Sequence, residues 1–258
     1  MPRPAATATV LILTPMKSAR RHLDRYFAGL KRLTYPPGLL SLGILEGDSD
    51  DDTFAEVERR LPVACADFAR YRLFKRDFGL RLPPGVPRYS PVFQIQRRTI
   101  LARARNHLLF RALGDEDWVL WLDVDVIEYP PDIVETLIAL GRDIVQPHCV
   151  TEYGGKTFDL NAWCDGGRKH MDDLRGTGPV RLEALGGTML LVRADRHRDG
   201  LVFPPFFYGA RSRWVRDPHP LRGVAAGEIE TEGLGIMAKD MGIECWGLPD
   251  LEILHAPE

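Results

Sequence analysis

The chain has no uninterrupted apolar stretch long enough to cross a bilayer. Near the N-terminus only Val10-Leu11-Ile12-Leu13 runs unbroken before Thr14-Pro15, too short for a membrane span or a signal-peptide core. It also lacks an excess of either charge: 34 Lys and Arg stand against 36 Asp and Glu. That balance argues against a nucleic-acid tail or a polybasic membrane patch, so nucleic acid is not an expected partner. Cysteine is scarce and scattered. Cys65, Cys149, Cys164 and Cys245 form no Cys-x-x-Cys pair and have no His at zinc-ligand spacing beside them, and they read as reduced core thiols. There is no internal repeat and no low-complexity linker. These absences leave a soluble, cytoplasmic globular protein as the expectation, and 258 residues at 45% hydrophobic suffice for one large core.

What the chain does have is Trp118-Val119-Leu120-Trp121-Leu122-Asp123-Val124-Asp125-Val126, an apolar run ending in two carboxylates one residue apart. The run reads as a buried strand, and strand alternation puts Asp123 and Asp125 on one side where the strand leaves the core. Two like charges there are satisfied by a hard divalent cation, which keeps coordination sites for phosphate oxygens. Asp-x-Asp alone fits a solvated strand end before the Pro130-Pro131 turn equally well.

Strand and helix patterns alternate around this run. Thr7 to Leu13 reads as a strand, and 18–33 as a helix with Ser18 as its cap. Leu40 to Leu45 is a second strand, followed by the acidic turn 46–52 and a helix over 53–65. A short strand at 71–74, a Pro-rich loop at 79–91 and a helix at 92–113 lead into the Asp-x-Asp strand. A helix at 132–140 and a strand at 143–150 follow, then a long loop rich in Gly, Asp and Trp over 151–179. Strands at 181–185 and 188–193 are split by Gly186-Gly187. An aromatic, Pro-rich loop at 203–220, a helix at 228–241 and two short terminal strands ending at His255 complete the chain. The order predicts an α/β fold, a mostly parallel central sheet flanked by helices, with ligands beyond the carboxyl ends of the strands.

Within the 92–113 helix, Arg105 lies four residues after Leu101 and three before Leu108, on their apolar face. A charge there needs a partner. It is either an internal pair with a sheet-end carboxylate or a contact to an anion or ribose near the Asp-x-Asp site.

Several blocks in order resemble one family. Ile12-Leu13-Thr14-Pro15, Leu101-Ala102-Arg103-Ala104-Arg105-Asn106, the Asp-x-Asp strand, Phe158-Asp159-Leu160-Asn161-Ala162-Trp163, Gly186-Gly187, His197-Arg198-Asp199-Gly200, Ile229-Glu230-Thr231-Glu232-Gly233 and Gly247-Leu248-Pro249 with His255 are similar to the fungal mannan-polymerase α-mannosyltransferases, glycosyltransferase family 62. The resemblance implies a single GT-A (Rossmann-like) nucleotide-sugar transferase domain over 1–258, with a nucleotide-binding half at 1–126 and an acceptor-side half at 127–258. It implies a metal-dependent retaining enzyme that moves α-mannose from GDP-mannose to a glycan or small-molecule acceptor, using Mn2+ or another divalent cation. The chain departs from the fungal pattern in having no N-terminal anchor and a shorter stretch between Asn161 and Gly186. It therefore reads as a soluble, bacterial-like homologue whose location and acceptor are not carried over.

The resemblance assigns roles by position. Asp123, Asp125 and His255 would hold the metal. Thr14, Pro15, Glu46 or Asp48, Arg105 and Asn106 would line the nucleotide side, and Gly186 and Gly187 would let backbone approach the sugar. Glu230 and Glu232 lie two residues apart, so a helix turns them to different faces; one is structural and the other binds the acceptor or the oxocarbenium-like transition state, with Asp159 and Asn161 as rivals. Two other classes stand beside this one. A haloacid-dehalogenase-like phosphatase also uses a strand-end Asp-x-Asp, but its acidic motif follows that strand, whereas Gly47 to Asp52 precedes it. A non-catalytic nucleotide-sugar or glycan-binding module would use Trp163, Trp214 and Trp246 as stacking surfaces, a role that buried core aromatics mimic.

Overall fold

The computed structural model describes residues 7–81, 90–215 and 227–257. Its backbone follows the expected alternation. Strand β1 (Val10–Met16) is followed by α1 (Leu23–Arg32), β2 (Leu40–Glu46), α2 (Thr53–Ala64) and β3 (Arg70–Lys75). Then come α3 (Pro91–Ala112), β4 (Trp118–Leu122), β5 (Val126–Glu128), α4 (Ile133–Ala139) and β6 (Ile144–Val150). The remainder is β7 (Val180–Leu182), β8 (Met189–Arg193), α5 (Ala194–Arg198), α6 (Glu230–Asp240) and β9 (Cys245–His255).

The strands form one sheet in the order β3-β2-β1-β4-β8-β6-β9-β5, with β7 against β9. Strands β3, β2, β1 and β4 are parallel, as are β6 and β9; β8 runs antiparallel to both of its neighbours, and β5 and β7 run antiparallel to β9. Alternation along each strand feeds two cores. Val10 and Ile12 of β1 with Trp118, Leu120 and Leu122 of β4 pack on the side of α1, α2 and α4. Leu11 and Leu13 with Val119 and Trp121 pack on the side of α3 and α6.

Direction positions the site. Because β8 runs back along β4, its start meets the end of β4, and the Asp123 N–H donates to the Thr188 carbonyl at 2.9 Å. Strand β9 ends against β5, pairing His255 with Val126, and the Ala256 N–H donates to the Asp125 carbonyl at 2.8 Å.

Several boundaries differ from the expectation. Strand β1 runs through Thr14-Pro15 to Met16, because Pro needs no ladder donor where its neighbours carry the pairing. Ser18 caps no helix: it has φ +46°, its hydroxyl donates to Asp50 Oδ1 at 2.7 Å, and a 3-10 turn at Arg20–His22 precedes α1. The two terminal strands are one, β9, whose register shifts against β6 between Pro147 and His148. The short helix α5 was not expected. Most of the 79–91 loop and the end of the 203–220 loop lie outside the described residues. No helix among the described residues is long and apolar enough to cross a membrane.

Candidate active site

The strand ends converge on a pocket of about 370 Å3 whose lining includes Arg105, Asp123, Asp125, Asp159, Glu230 and His255. Asp125 sits in the turn after β4. His255, 3% exposed, places Nε2 3.2 Å from Asp125 Oδ2 and Nδ1 2.6 Å from the Ala256 carbonyl, with its ring stacked on Phe158 at 3.8 Å and 21°. A carbonyl only accepts, so Nδ1 carries a proton and donates. In the neutral ring Nε2 then has a lone pair facing a carboxylate oxygen, an arrangement that needs a proton or a metal cation between them. Burial alone would lower the His255 pKa, but the Asp125 contact outweighs it and holds the imidazole above its ordinary range.

Asp123 is paired differently. Arg105 Nη2 donates to both of its oxygens at 3.0 and 3.3 Å and to the Gly187 carbonyl at 3.2 Å, while Arg105 Nε lies 3.3 Å from Glu230 Oε1. Arg105 is therefore the internal partner of a sheet-end carboxylate, and at 3% exposure it lines the pocket from behind that pair. Burial pushes the Asp123 carboxyl up to about 7; Arg105 opposes this, and the charges of Asp125, Glu230 and Asp159 add to it. Asp159 is likewise raised by burial first, against hydrogen bonds from the Gly187 and Thr188 N–H groups at 2.7 and 3.3 Å. Four carboxylates around one pocket make a field that a divalent cation relieves.

The two glycines are required by this network, and Gly187 also lines the pocket. A Cβ on Gly186 would lie 2.2 Å from Asp159 Oδ2, and one on Gly187 2.7 Å from Arg105 Nη2. Only a residue without a side chain lets the buried acid and guanidinium pack against this turn.

Glu230 and Glu232 part company at the start of α6. Glu230 has φ +58°, a left-handed conformation costly for a residue with a side chain, and it points into the pocket. Its Oε2 accepts the Thr231 hydroxyl at 3.0 Å and lies 3.7 Å from Arg98 Nε. Glu232, one of the two alternatives for the catalytic carboxylate, is not in the pocket lining. Its Oε2 accepts from Arg98 Nη1 and its Oε1 from Trp163 Nε1, both at 2.8 Å. The outcome is an alternating chain of charges, Glu232, Arg98, Glu230, Arg105, Asp123. Arg98 escaped the sequence reading although it stands seven residues before Arg105, on the same helix face. Phe158, next to the singled-out Asp159, was also overlooked as the support of His255.

Other expected residues lie elsewhere. Both ends of the Asn106 amide are spent on the Phe203 backbone, at 2.7 and 2.9 Å. Asp48 accepts from the N–H groups of Phe78 and Gly79 at 3.0 and 2.9 Å; burial would raise its carboxyl, but donors from Leu80, Phe78 and Gly79 outweigh that and hold it below the ordinary range. Thr14 is buried with its hydroxyl 2.8 Å from Tyr26 Oη. Thr14, Pro15 and Glu46 stand at the carboxyl ends of β1 and β2 but are not part of this pocket's lining. Glu46 accepts from the Ser49 N–H at 3.2 Å. Asn161 does line the pocket. Trp163 is fully buried, and Arg142 and Arg181 lie over Trp246 at 4.5 and 5.5 Å, as Lys239 and Arg213 do over Trp214 at 4.8 and 4.6 Å. None of the three indoles lines the pocket.

As for a metal, no group of three or more His, Cys, Asp or Glu side chains among the described residues converges tightly enough to hold an ion by itself. Asp125 and His255 nonetheless fit as two ligands. The second ring nitrogen of His255 donates to a backbone carbonyl, the arrangement that orients metal-bound imidazoles, and substrate phosphates commonly complete such sites.

Comparison with known proteins agrees with this architecture. Among solved structures, the mannosyltransferase PcManGT of Pyrobaculum calidifontis, in complex with GDP-Man and Mn2+, matches with a TM-score of 0.58 at 16% identity over 100% of this chain and 60% of that one. TarS of S. aureus, in complex with UDP, matches with a TM-score of 0.56 at 12% identity over 97% of this chain and 61% of that one. The fold is that of the GT-A glycosyltransferases. In sequence, the mannan polymerase complex subunit Mnn9 of Schizosaccharomyces pombe is 30% identical over 96% of this chain and 80% of its own length. The mannan polymerase II complex Anp1 subunit of the same organism is 29% identical over 96% of this chain, which spans 64% of that protein's length. The Anp1 family model matches residues 3–174, and with two thirds of its length covered the chain belongs to the Anp1 family.

Proposed function

We propose that the protein is a metal-dependent retaining glycosyltransferase that transfers α-mannose from GDP-mannose to a carbohydrate or small-molecule acceptor. The observation that carries this reading is the Asp125–His255 pair at the strand ends of a GT-A sheet, with Glu230 and Asp159 across the same pocket. Mannan polymerase names among the sequence relatives, and a structural relative holding GDP-Man and Mn2+, support the choice of sugar, nucleotide and metal.

In this reading Asp125 and His255 hold the divalent ion, with Asp123 able to join them. The ion, when bound, acts as a Lewis acid that stabilises the charge growing on the departing diphosphate. Arg105 holds Asp123 and Glu230 side by side by bridging them at 3.0 and 3.3 Å. Glu230, fixed by its backbone conformation, faces the sugar and stabilises the oxocarbenium-like positive charge, while Asp159 and Asn161 bind sugar hydroxyls. The 1–126 half supplies Arg105, Asp123 and Asp125, and the 127–258 half supplies Asp159, Glu230 and His255.

The test is turnover against a panel of GDP-, UDP- and ADP-sugars with manganese and with chelator. Manganese-dependent consumption of GDP-mannose, with the α-configuration kept in the product, is expected. Preference for simple phosphate esters, or undiminished activity in chelator, would overturn the reading.

A further inference from the structure

Helix α3 presents a second face, away from Arg105. Arg103, His107 and Arg111 recur there every four residues, a stripe about 12 Å long at 1.5 Å per residue. Strand β3 forms an end of the sheet and sets Arg72, and Arg76 just past its last residue, beside that stripe. Arg76 Nη1 donates to His107 Nδ1 at 3.2 Å, and Arg72 Nη1 donates to the Arg111 carbonyl at 3.3 Å. Arg76, Arg103 and His107, with Asp77, Phe78 and Asn106, line a cleft of about 460 Å3.

The cleft differs in charge balance from the neighbouring arginines of the same strand and helix. Arg70, Arg98 and Arg105, from the same strand and helix, all have carboxylate partners. Among the described residues Arg72, Arg76, Arg103 and Arg111 have none within ion-pair distance. The single carboxylate in the cleft, Asp77, accepts from the Asp48 N–H at 2.7 Å, and the Asn106 amide is spent on Phe203. Phe78 provides an aromatic wall, with Arg76 5.4 Å from its ring centroid and the His107 ring edge-on at 6.0 Å. Burial first, then the charges of Arg76 and Arg111, holds His107 below its ordinary range, a field that a bound anion would relieve.

We propose that this cleft binds a phosphate-bearing group, presented either free or as the headgroup of a lipid. Arginine forks match the oxygens of a phosphate in two-point contacts, and here two guanidiniums that pair with no carboxylate among the described residues outnumber the single Asp77. The proposal is independent of the donor pocket, which opens on the opposite face of α3.

The probes are inorganic phosphate, and vesicles of phosphatidylcholine with or without phosphatidic acid, applied to the whole protein in chelator so that no metal loads the other pocket. Side-chain NMR of His107 and Asn106 should show saturable shifts with phosphate. Arg76→Glu and Arg103→Glu should each weaken binding about tenfold or more, whereas Arg142→Glu, an equal charge change on another surface, should not. Binding of phosphatidic acid vesicles that phosphate competes away would identify a headgroup site, and phosphate binding without vesicle binding a site for a free ligand. Unmoved His107 signals, or an equal loss in Arg142→Glu, would overturn the proposal. Transfer from GDP-mannose is not needed for any of these readouts, so failure of the donor assignment leaves the test intact.

Discussion

His255 and Asp125 meet through the nitrogen that His255 has not already committed. Nδ1 donates to the Ala256 carbonyl at 2.6 Å, Phe158 fixes the ring plane from one side, and Nε2 is left 3.2 Å from Asp125 Oδ2. Two electron-rich atoms are thus aimed at one point by backbone, stacking and strand register together. An accidental surface histidine has none of those constraints.

Asp125→Ala and His255→Ala should each lower manganese affinity by about 10–100-fold while the fold survives. Phe158→Ala should weaken it less, because the carbonyl still orients the ring. Manganese titration followed by calorimetry checks this order, and a wild-type isotherm in His255→Ala would return that residue to a structural role.

The two glutamates of α6 should separate by conservative substitution. Glu230→Gln removes a charge facing the sugar and should depress kcat with donor KM little changed. Glu232→Gln keeps an acceptor oxygen for one of Trp163 and Arg98 and should retain most activity, whereas Glu232→Ala removes both acceptors and should lose stability by about 1–3 kcal/mol. Equal inactivation by Gln and Ala at position 232 would restore Glu232 as a catalytic carboxylate.

Arg105→Ala should be costly to folding as well as to activity. It strips Asp123 and Glu230 of a cation in a buried setting, a loss of about 3–5 kcal/mol. Urea unfolding measures it. A variant within about 1 kcal/mol of wild type that only raised donor KM would show that Arg105 acts chiefly on the ligand instead.

How far the sequence carries can be read from particular residues. Apolar periodicity located nearly every strand and helix, because burial on one or both faces is what the pattern records. It carried no information on direction, and the antiparallel run of β8, which lays Thr188 beside Asp123, looks the same as a parallel one in sequence. Asp48 and Asp123 are equally plausible ligands on paper; they differ in which N–H groups and guanidiniums the fold brings to them from 18 to 32 residues away. The left-handed backbone at Glu230 has no sequence signal, since Gly, not Glu, marks that conformation. The basic cleft was invisible because its residues are scattered between positions 76 and 107, in a chain whose total charge is near zero.

The last prediction concerns pH and lies away from the pocket. His197 is buried, its Nδ1 donates to the Leu201 carbonyl at 2.7 Å, and its Nε2 accepts from Trp121 Nε1 at 3.3 Å, so both nitrogens are satisfied only in the neutral ring. Burial pulls its pKa from 6.5 down to about 4. Above pH 6.5 the ring is neutral whether the chain is folded or unfolded, and the group adds no pH dependence. Between 6.5 and 4 the unfolded chain takes up a proton that the folded one refuses, so stability falls as the pH drops, by about 3 kcal/mol in all. Below about 4 both states are protonated and this contribution levels off. Urea unfolding at pH 7 and pH 4.5 should therefore show a smaller loss in His197→Asn than in wild type, although the variant starts less stable. Equal losses in the two proteins would mean that His197 is not the group being titrated.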